Sequence, residues 1–426
     1  MNLLVVGSGG REHTIIKKLK ENPSVETVYA LPGNGGIAAD AVCVPEIGAK
    51  DISAIVDFAK THAIDFAVVA PDDPLALGCV DSLHEVGIPC FGPDAKAARI
   101  EASKVFSKNL MKKYGIPTAS YEVFNDPAKA MKYLETADFP IVIKADGLAL
   151  GKGVLIPQNL EEAHGAVKSI MEDKTFGDSG NEIVIEEFLT GPEVSVLAFT
   201  DGTAIRPMVS SMDHKRIGDG DTGLNTGGMG TIAPNPYYTA EIAQKCMDTI
   251  FLPTLAAMRA EGCPFKGCLY FGLMLTPNGP KVIEYNCRFG DPETQVVLPL
   301  LKTDLLTVMQ AVENETLSDL DVEWSDGAAA CVILASGGYP GSYEKGKVMT
   351  FPESTPANVT IIHAGSKISG DKLITNGGRV LGITAAAPTL KEALADAYAA
   401  AETVDFEGKY MRRDIGQKAL RAIEES

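Results

Sequence analysis

A short apolar run that ends in a glycine-rich turn and continues as a helix opens the chain, and it restricts the fold more than any other feature. Residues 3–6 predict a strand, residues 7–10 a tight turn, and residues through Lys20 a helix. This order is the start of a parallel α/β unit. Strand signals at residues 66–70 and 89–91 continue the pattern. We therefore expect an N-terminal Rossmann-like parallel sheet.

The first turn lacks the dinucleotide-binding fingerprint. G-x-G-x-x-G would place a glycine at position 12, which is Glu12, and the second strand ends without an acid for the ribose. The helix N-terminus can still receive an anion, with Arg11 and His13 close by. An ordinary packing role for His13 on the first helical turn remains open.

Two further loops are predicted to line the same crevice. They are Gly33-Asn34-Gly35-Gly36 and Pro71-Asp72-Asp73-Pro74, each at the end of a predicted strand. Ligands of open α/β sheets bind beyond the carboxyl ends of the strands. The loops and the first turn should therefore face one ligand.

The segment IVIKADGLALGKGVL, residues 141–155, predicts a hairpin whose loop holds phosphate. Gly147, Gly151 and Gly153 allow a close approach of backbone N–H groups to an anion, and Lys144 and Lys152 add positive charge. The spacing is not that of a Walker loop, because no Ser or Thr follows the lysine. A hairpin tip with incidental glycines is the alternative.

The segment DHKRIGDGDTGLNTGGMG, residues 213–230, predicts a structured binding loop. It contains six glycines together with Asp213, His214, Lys215 and Arg216. A flexible linker is the alternative, but linkers are usually rich in Gly and Ser or in Pro rather than in charge. Long loops inside compact domains are usually functional or disordered.

A hairpin is predicted around Asn278-Gly279. In its second strand the period of two puts Glu284 and Asn286 on one face. Two oxygen ligands on one face suit Mg²⁺ better than Zn²⁺, although the solvated face of an edge hairpin gives the same pattern. Arg288 and Asp291 follow in a turn, where arginine can grip a carboxylate or phosphate.

Length, charge and cysteine usage bound the class of protein. With 426 residues the chain is long enough for about three domains, predicted at 1–103, 104–323 with a small mobile lobe at about 120–190, and a β-rich unit at 324–426. The net charge of −18 disfavours nucleic acid and anionic membranes as partners. Eight cysteines without C-x-x-C pairs, and no signal peptide or transmembrane pattern, predict a cytoplasmic protein. We expect a monomer.

In order and spacing these motifs resemble the ATP-grasp superfamily, and within it the phosphoribosylamine–glycine ligase family. The resemblance covers nearly the whole chain. It rests on GSGGREH at 7–13, PGNGG at 32–36, FGP at 91–93, SK at 103–104, the hairpin and the binding loop above, IVIEEFL at 183–189 and KVIEYNCRFGDPETQ at 281–295. It implies an α/β and α+β multidomain chain with a pre-ATP-grasp N-terminal domain and an ATP-grasp central domain.

The resemblance also implies the reaction and the residues that perform it. ATP would phosphorylate glycine, and phosphoribosylamine would attack the acyl phosphate to give glycinamide ribonucleotide, ADP and phosphate in purine biosynthesis. Another carboxylate–amine pair is the alternative. ATP contacts are implied for Lys104, Lys144, Gly147, Gly151, Lys152, Gly153, Glu186, Glu187, Phe188, Leu189 and Glu193. Mg²⁺ or Mn²⁺ would be held by Glu284 and Asn286.

The implied catalytic residues, near glycine and the transferred phosphoryl group, are Asp213, Lys215, Arg288 and Asp291. Phosphoribosylamine contacts are implied for Gly9, Gly10, Arg11, Glu12, His13, Gly33, Asn34, Gly35, Gly36 and Asp72. The chain departs from the family at Pro71-Asp72-Asp73-Pro74, where Pro-Glu-Ala-Pro is usual. Asp72 keeps the carboxylate but is one methylene shorter.

Overall fold

The computed structural model describes residues 1–148 and 153–425. The first region contains β1 (Asn2–Gly7), α1 (Gly10–Leu19), β2 (Thr27–Pro32), β3 (Val42–Cys43), α2 (Ile52–Thr61), β4 (Phe66–Val69), α3 (Asp72–Ala76), α4 (Cys79–Glu85), β5 (Cys90–Phe91) and α5 (Ala95–Ala102). Its five strands are all parallel, in the order β3-β2-β1-β4-β5. The predicted Rossmann-like sheet is confirmed. Strands β1 and β4 are neighbours, so the turn after β1 lies at the point where the strand order reverses, as ligand-binding turns do.

A four-stranded antiparallel sheet forms a separate lobe. This region contains α6 (Lys104–Tyr114), β6 (Tyr121–Phe124), α7 (Pro127–Leu134), β7 (Ile141–Ala145), β8 (Val154–Leu155), α8 (Leu160–Val167) and β9 (Ile183–Glu187). The strand order is β6-β9-β7-β8, and β7 pairs with β8 as the predicted hairpin. Ile143, Ile185 and Ile170 belong to a hydrophobic core that contains residues of this lobe only.

The central region is built on a second antiparallel sheet. It contains β10 (Glu193–Asp201), β11 (Ile205–Pro207), β12 (Met212–Asp213), β13 (Arg216–Gly218), β14 (Thr222–Asn225), β15 (Gly230–Ala233), α9 (Ala240–Cys246), α10 (Leu252–Ala260), β16 (Lys266–Thr276), β17 (Gly279–Asn286), α11 (Thr294–Val297) and α12 (Leu305–Glu313). The sheet order is β11-β10-β16-β17. The predicted hairpin of β16 and β17 is confirmed, but Ile283 is an extra residue in its register, since Gly272 pairs with Glu284 and Leu273 with Val282.

The last region is rich in strands, as predicted. It contains β18 (Ala328–Ala335), β19 (Val359–His363), β20 (Ser366–Ser369), β21 (Lys372–Thr375), β22 (Arg379–Ala387), α13 (Leu390–Thr403) and α14 (Gln417–Glu425). Its main sheet has the order β12-β15-β18-β22-β19. Two strands of the central region, β12 and β15, therefore complete a sheet whose other strands come from the end of the chain. They flank the predicted binding loop and fix both of its ends.

The N-terminal and central regions share their cores. One cluster joins Leu4 and Val69 to Val196 and Phe271, whereas the lobe packs on a core of its own. All eight cysteines are free thiols, and all but Cys43 are buried. Among the described residues no helix has both the length and the apolar character of a membrane span.

Candidate active site

The first wall of the candidate site is strand β7, on which Lys144 is buried. Its ammonium group lies 3.0 Å from Glu186 Oε1 and donates to the backbone oxygen of Ile283 at 3.1 Å. The other oxygen of Glu186 lies 2.9 Å from Lys108 Nζ. Burial outweighs the attraction of Glu186 and lowers the pKa of Lys108 to about 8. Lys144 is thus a positive charge fixed by a carboxylate and a carbonyl.

The start of the glycine loop contacts the N-terminus of α6. Lys104 Nζ donates to the backbone oxygen of Gly147 at 2.8 Å, and Asp146 accepts from the N–H of Val105 at 3.0 Å. Gly147 has φ = +119°, where a side chain would be strained. Burial lowers the pKa of Lys104, and Glu284 opposes this shift. The structure therefore joins Lys104 to the loop that was predicted to close over phosphate.

The far end of the loop returns to β7. Gly153 accepts a hydrogen bond from the N–H of Ala145 at 2.8 Å, which closes the mouth of the hairpin. The predicted ATP contacts at Gly151 and Lys152 lie outside the described residues.

The predicted adenine segment is the end of strand β9. Glu186 is paired with neighbouring strands on both sides, so its backbone is engaged in the sheet. The N–H of Glu187 donates to Ser120, and its carboxylate accepts from Lys281 at 2.8 Å. Phe188 and Leu189 follow the strand, and Phe188 is 40% exposed. The accessible part of the predicted segment therefore begins at Glu187, whose side chain is 42% exposed.

The opposite wall is strand β17, which presents Glu284 and Asn286. The extra residue Ile283 lets Val282 and Tyr285 face the core while both polar side chains point away from it. Burial raises the pKa of Glu284, but nearby cations outweigh it and lower the pKa, so the carboxylate is ionised. These cations are Lys215, Lys144, Lys104 and Arg288.

Carboxylate and amide oxygens are the ligands that Mg²⁺ and Mn²⁺ accept. No group of three or more His, Cys, Asp or Glu side chains that could hold a metal is found in the described residues. Mg²⁺ commonly takes one or two carboxylates and completes its shell with water and substrate phosphates. The ionised Glu284 and the neighbouring Asn286 fit that donor set.

Arg288 is held by a carboxylate of the N-terminal region. Its Nη2 lies 2.9 Å from Glu101 Oε1 and donates to Asn286 Oδ1 at 3.3 Å. Glu101 also accepts from the N–H of Cys287 at 2.8 Å, and its burial raises its pKa against the effect of Arg288. The buried Arg288 Nε has no hydrogen-bond partner among the described residues. One donor of the guanidinium therefore remains for a ligand.

Lys215 and Glu193 form an ion pair at 3.0 Å. Burial would lower the pKa of Lys215, but Glu193 and Glu284 raise it well above its ordinary value. Asp213 accepts from Thr231 Oγ1 at 3.4 Å, across the pairing of β12 with β15. Glu193 was expected at the ATP ribose, and here it stands beside a predicted catalytic lysine.

Asp291 lies where the N-terminal, central and C-terminal regions meet. One carboxylate oxygen accepts from the N–H of Arg11 at 3.3 Å, and the other accepts from Gln295 at 2.8 Å. Arg379 of β22 lies 3.3 Å from the same carboxylate and donates to the Asp291 backbone oxygen at 2.8 Å. Burial raises the pKa of Asp291, but Arg379 and Arg11 outweigh it and lower the pKa.

The first glycine turn is occupied by a side chain of its own helix. Glu12 is 1% exposed and accepts from the N–H of Gly9 at 2.5 Å and from Arg11 Nε at 2.7 Å. A Cβ on Gly10 would lie 2.6 Å from Gln295 Nε2. Since Asp291 takes the N–H of Arg11, two donors of the predicted anion site already face carboxylates.

His13 has both ring nitrogens engaged. Nδ1 accepts from the N–H of His363 at 2.8 Å, so Nε2 carries the proton and donates to Asp40 at 2.9 Å. Burial lowers the pKa of His13 although Asp40 raises it, and the ring is 2% exposed. His13 joins the N-terminal region to β19 in this structure, as the packing alternative described.

The loop after β2 is fixed by the C-terminal region. Asn34 donates to the backbone oxygen of His363 at 3.0 Å and accepts from the N–H of Gly36 at 2.9 Å. Gly35 donates to the backbone oxygen of Ser366 at 3.1 Å. A Cβ on Gly36 would lie 1.9 Å from His363 Cγ, so no side chain fits there.

Gly33 and Asp72 mark the ends of neighbouring strands. Gly33 has φ = +73° and donates to the backbone oxygen of Gly7 at 3.1 Å. Asp72 begins α3 and accepts from the N–H of Asp73 at 3.0 Å. Burial is the main cause of the raised pKa of Glu101; Arg288 lowers this pKa, and the negative charge of Asp72 raises it. Asp72 is therefore close enough to the ion pair of Glu101 and Arg288 to act on its charge.

Three residues beside the predicted set were missed from the sequence. Glu293 is 5% exposed and accepts from Tyr270 at 3.1 Å. Arg379 also donates to the backbone oxygen of Gly227 at 2.7 Å, inside the predicted binding loop. Only Glu293 could have been noticed from the sequence, since it stands two positions after Asp291. Tyr270 lies on another strand, and Arg379 lies 88 positions after Asp291, so neither gives a local signal.

Family models match the chain in three consecutive parts. They are described as phosphoribosylglycinamide synthetase N domain (residues 1–101), ATP-grasp (A) domain (102–294) and C domain (329–418). A phosphoribosylamine–glycine ligase of Chlorobaculum tepidum is 48% identical over 99% of this chain and 100% of its own length.

Longer relatives match through part of their length. A bifunctional purine biosynthetic protein of Pichia angusta is 48% identical over 99% of this chain, and the match spans 54% of that protein. For the trifunctional purine biosynthetic protein adenosine-3 of Gallus gallus the identity is 46% and the share 43%. The chain thus spans about half of these multifunctional relatives.

Solved structures share the fold. The crystal structure of phosphoribosylamine–glycine ligase from Thermotoga maritima superposes with a TM-score of 0.86 at 36% identity, covering 97% of this chain and 100% of the other. A biotin carboxylase of Campylobacter jejuni has a TM-score of 0.75 at 13% identity, over 96% and 92% of the two chains. The second likeness concerns the fold alone.

Proposed function

We propose, because the chain belongs to the phosphoribosylglycinamide synthetase family, that it joins glycine to phosphoribosylamine with conversion of ATP to ADP and phosphate. The product would be glycinamide ribonucleotide, an intermediate of purine biosynthesis. The observation that carries the proposal is the ionised Glu284, which faces four cations contributed by the lobe, α6 and the central region. Such a cleft suits a metal-bound polyphosphate.

The chemistry follows from these charges. A carboxylate is a poor electrophile, so glycine must first receive the γ-phosphoryl group of ATP. Lys144, Lys104 and Lys215 are placed to stabilise the charge that moves with it. Glu284 and Asn286 would hold Mg²⁺ or Mn²⁺, which when bound neutralises phosphate charge. Arg288, whose Nε has no hydrogen-bond partner in the described part of the chain, is suited to an oxygen of the acyl phosphate.

The second half of the reaction joins the amine to the activated glycine. The nitrogen of phosphoribosylamine attacks the acyl carbon, the bond to phosphate breaks, and the nitrogen loses a proton. Asp213 and Asp291 are the proposed catalytic carboxyl groups for this step, and the ionised Asp291 is suited to accept the proton. Water must be excluded, because it would hydrolyse the acyl phosphate. We propose the loop at residues 147–153 for that role.

Phosphoribosylamine is proposed to lie between the first turn and the loop at residues 33–36. Two N–H groups of the turn already face Glu12 and Asp291. A carboxylate attracts amine and hydroxyl groups and repels phosphate. We therefore propose that the turn receives the ribosylamine end, and that the substrate phosphate lies away from Glu12.

The remaining proposals concern organisation. The proposed domain limits are 1–103, 104–323 with the lobe at 120–190, and 324–426, and the isolated core of the lobe supports its movement as a unit. Free thiols at all eight cysteines support a reducing, cytoplasmic compartment. The protein is proposed to act as a monomer on small molecules, without nucleic acid or membrane.

The test is turnover with defined substrates. Purified protein is incubated with ATP, Mg²⁺, glycine and phosphoribosylamine, and ADP and the amide product are quantified by mass spectrometry. We expect ADP and amide in equal amounts, and neither when one substrate is omitted. Absence of ADP release above background rejects the proposal. Faster turnover with another acid or amine would replace glycine or phosphoribosylamine by that substrate.

A further inference from the structure

The residues on both sides of Lys215 have no role in the proposed chemistry, and the structure ties them to the C-terminal segment, defined as residues 410–418. His214 precedes Lys215 and is 5% exposed. Its Nε2 accepts from the N–H of Gly416 at 3.1 Å, so Nδ1 carries the proton and donates to the backbone oxygen of Gly230 at 3.0 Å. Burial lowers the pKa of His214 to about 4, so the ring is neutral at pH 7. His214 therefore anchors one side of Lys215.

Arg412 anchors the other side. It is 1% exposed, and its Nη1 donates to the backbone oxygen of Arg216 at 3.0 Å and lies 3.0 Å from Asp221 Oδ1. Its Nε and Nη2 donate to the two carboxylate oxygens of Asp414, each at 2.8 Å. The planar guanidinium suits such bidentate contacts. One side chain thus joins strand β13, the turn that leads to β14 and the C-terminal segment.

Further hydrogen bonds hold the hairpin of β13 and β14 against the C-terminal segment. They run from the N–H of Gly220 to Asp414, from the hydroxyl of Tyr410 to the backbone oxygen of Ile217, and from the N–H of Arg413 to Asp219. The two strands form a sheet of their own, and all four residues of β14 are exposed. A two-stranded hairpin is only marginally stable alone. Its conformation therefore depends on the C-terminal segment.

Lys215 lies between the two anchors. Its backbone oxygen accepts from the N–H of Thr226 at 2.7 Å, and its ammonium group pairs with Glu193 at 3.0 Å. Because His214 and Arg216 are held from the C-terminal segment, contacts outside the cleft determine where the Lys215 side chain points.

We propose that Arg412 is a positioning residue, which holds the hairpin of β13 and β14 on the C-terminal segment and so keeps Lys215 directed into the cleft. The inference rests on the proposed function, in which Lys215 stabilises the charge of the transferred phosphoryl group. A misplacement of about 1 Å at a reacting site can cost about 100-fold in rate. Arg412 is buried away from the cleft and acts on the reaction through Lys215.

Substitution of two neighbouring arginines tests this role. Arg412→Met keeps most of the length and removes the charge. We expect kcat to fall about 100-fold. The KM for ATP should change by less than about twofold, because the interaction lost is one made in the transition state. Arg413→Met is the matched control, since that side chain is 59% exposed and pairs with Glu402 at the surface. It should change neither value.

Lysine labelling reports on the position of Lys215 without turnover. A limiting amount of acetic anhydride is added, and acetylation of each lysine is quantified by mass spectrometry of peptides. In Arg412→Met the labelling of Lys215 should rise about 10-fold, as for one lost hydrogen bond between charged groups. Lys17 is the internal reference, because it is 35% exposed and paired with Asp40, whereas Lys215 is 38% exposed and paired with Glu193. Labelling of Lys17 should not change.

The outcomes are distinguishable. An unchanged kcat in Arg412→Met, or equal losses in Arg412→Met and Arg413→Met, overturns the inference. Unchanged labelling of Lys215, or an equal rise at Lys215 and Lys17, assigns Arg412 to general stability and also overturns it.

A milder variant covers the case in which Arg412→Met does not fold. Tyr410→Phe removes one hydrogen bond to the hairpin and should lower kcat about threefold, with a matching rise in Lys215 labelling. No change in either value overturns the inference. Failure of the ligase reaction appears separately, as absent wild-type turnover, and labelling then decides the positioning role by itself.

Discussion

Replacing Glu186 by Gln tests whether this side chain supports the lobe or serves ATP. Its carboxylate lies 2.9 Å from Lys108 Nζ and 3.0 Å from Lys144 Nζ, and all three side chains are at most 5% exposed. Glutamine keeps the volume and removes the charge. Two buried ammonium groups then lose the anion between them, and an uncompensated buried charge is strongly destabilising.

The size of the loss is limited by the proton of Lys108. Its pKa is about 8 in the folded protein, so neutralising it at pH 7 costs about 1.4 kcal/mol. In the variant the pKa falls further and Lys108 gives up its proton, which caps that contribution. The lost charged contact of Lys144 adds about 1.5 kcal/mol. We expect the lobe to lose about 3 kcal/mol at pH 7.

The stability of the lobe depends on pH through the proton of Lys108. The folded pKa of Lys108 lies below its ordinary 10.5, so the unfolded chain binds the proton more tightly and stability rises with pH between the two values. In Glu186→Gln this rise begins at a lower pH. The deficit of the variant should therefore shrink to about 1.5 kcal/mol at pH 9, where Lys108 is mostly neutral in both proteins.

Hydrogen exchange measures the effect where it occurs. At pH 7 the amides of β7 and β9 should exchange about 100-fold faster in Glu186→Gln than in wild type, whereas those of β1 and β4 should not change. Glu187→Gln is the matched control, because its carboxylate is 42% exposed and pairs with Lys281 at the surface. Equal effects of the two variants, or the same deficit at pH 7 and pH 9, would refute the reasoning.

Variants at Glu284, Gly36 and His13 test three other parts of the structure. Glu284→Ala should abolish turnover while circular dichroism stays unchanged, because the lost group is an ion ligand and not a core residue; normal rates at saturating Mg²⁺ would contradict this. Gly36→Ala should destabilise the protein by about 1–3 kcal/mol, because its Cβ would lie 1.9 Å from His363 Cγ, and His363→Ala in the same chain should restore much of the loss in denaturant melts. The pKa of His13 is lowered in the folded protein, so the unfolded chain binds the proton more tightly. Stability should therefore fall as pH drops below about 6.5. In urea titrations at pH 5 to 7, His13→Gln should show a weaker dependence of stability on pH, and an unchanged dependence would assign the effect to other groups.

Local sequence signals determined much of the fold. The parallel first sheet followed from a strand, a glycine turn and a helix, and the hairpin of β16 and β17 followed from Asn278-Gly279. The extra residue at Ile283 was not predicted, because a bulge depends on which core positions Val282 and Tyr285 must fill. Alternation alone would have put Val282 on the side of Glu284.

The site was less predictable, because its partners come from distant parts of the chain. Lys108 reaches Glu186 from a helix 78 positions earlier, and Arg379 reaches Asp291 from 88 positions later. Neither pairing leaves a local pattern. His13 shows the opposite limit, since a histidine beside a glycine turn fits both binding and packing until its two ring partners are known.

The sharing of a sheet between β12, β15 and the end of the chain affects how the protein is made. Synthesis proceeds from the N-terminus, and domains generally fold as units in that order. Strand β15 can complete its pairing with β18 only after residue 332 has been synthesised. Asp213 and Lys215 therefore reach their final positions late. A nascent chain that has already formed strands β7 and β17 still lacks the sheet that positions these two residues. Cleavage or truncation before β18 would leave the edge of β15 unpaired next to the glycine-rich loop, a hazard for aggregation.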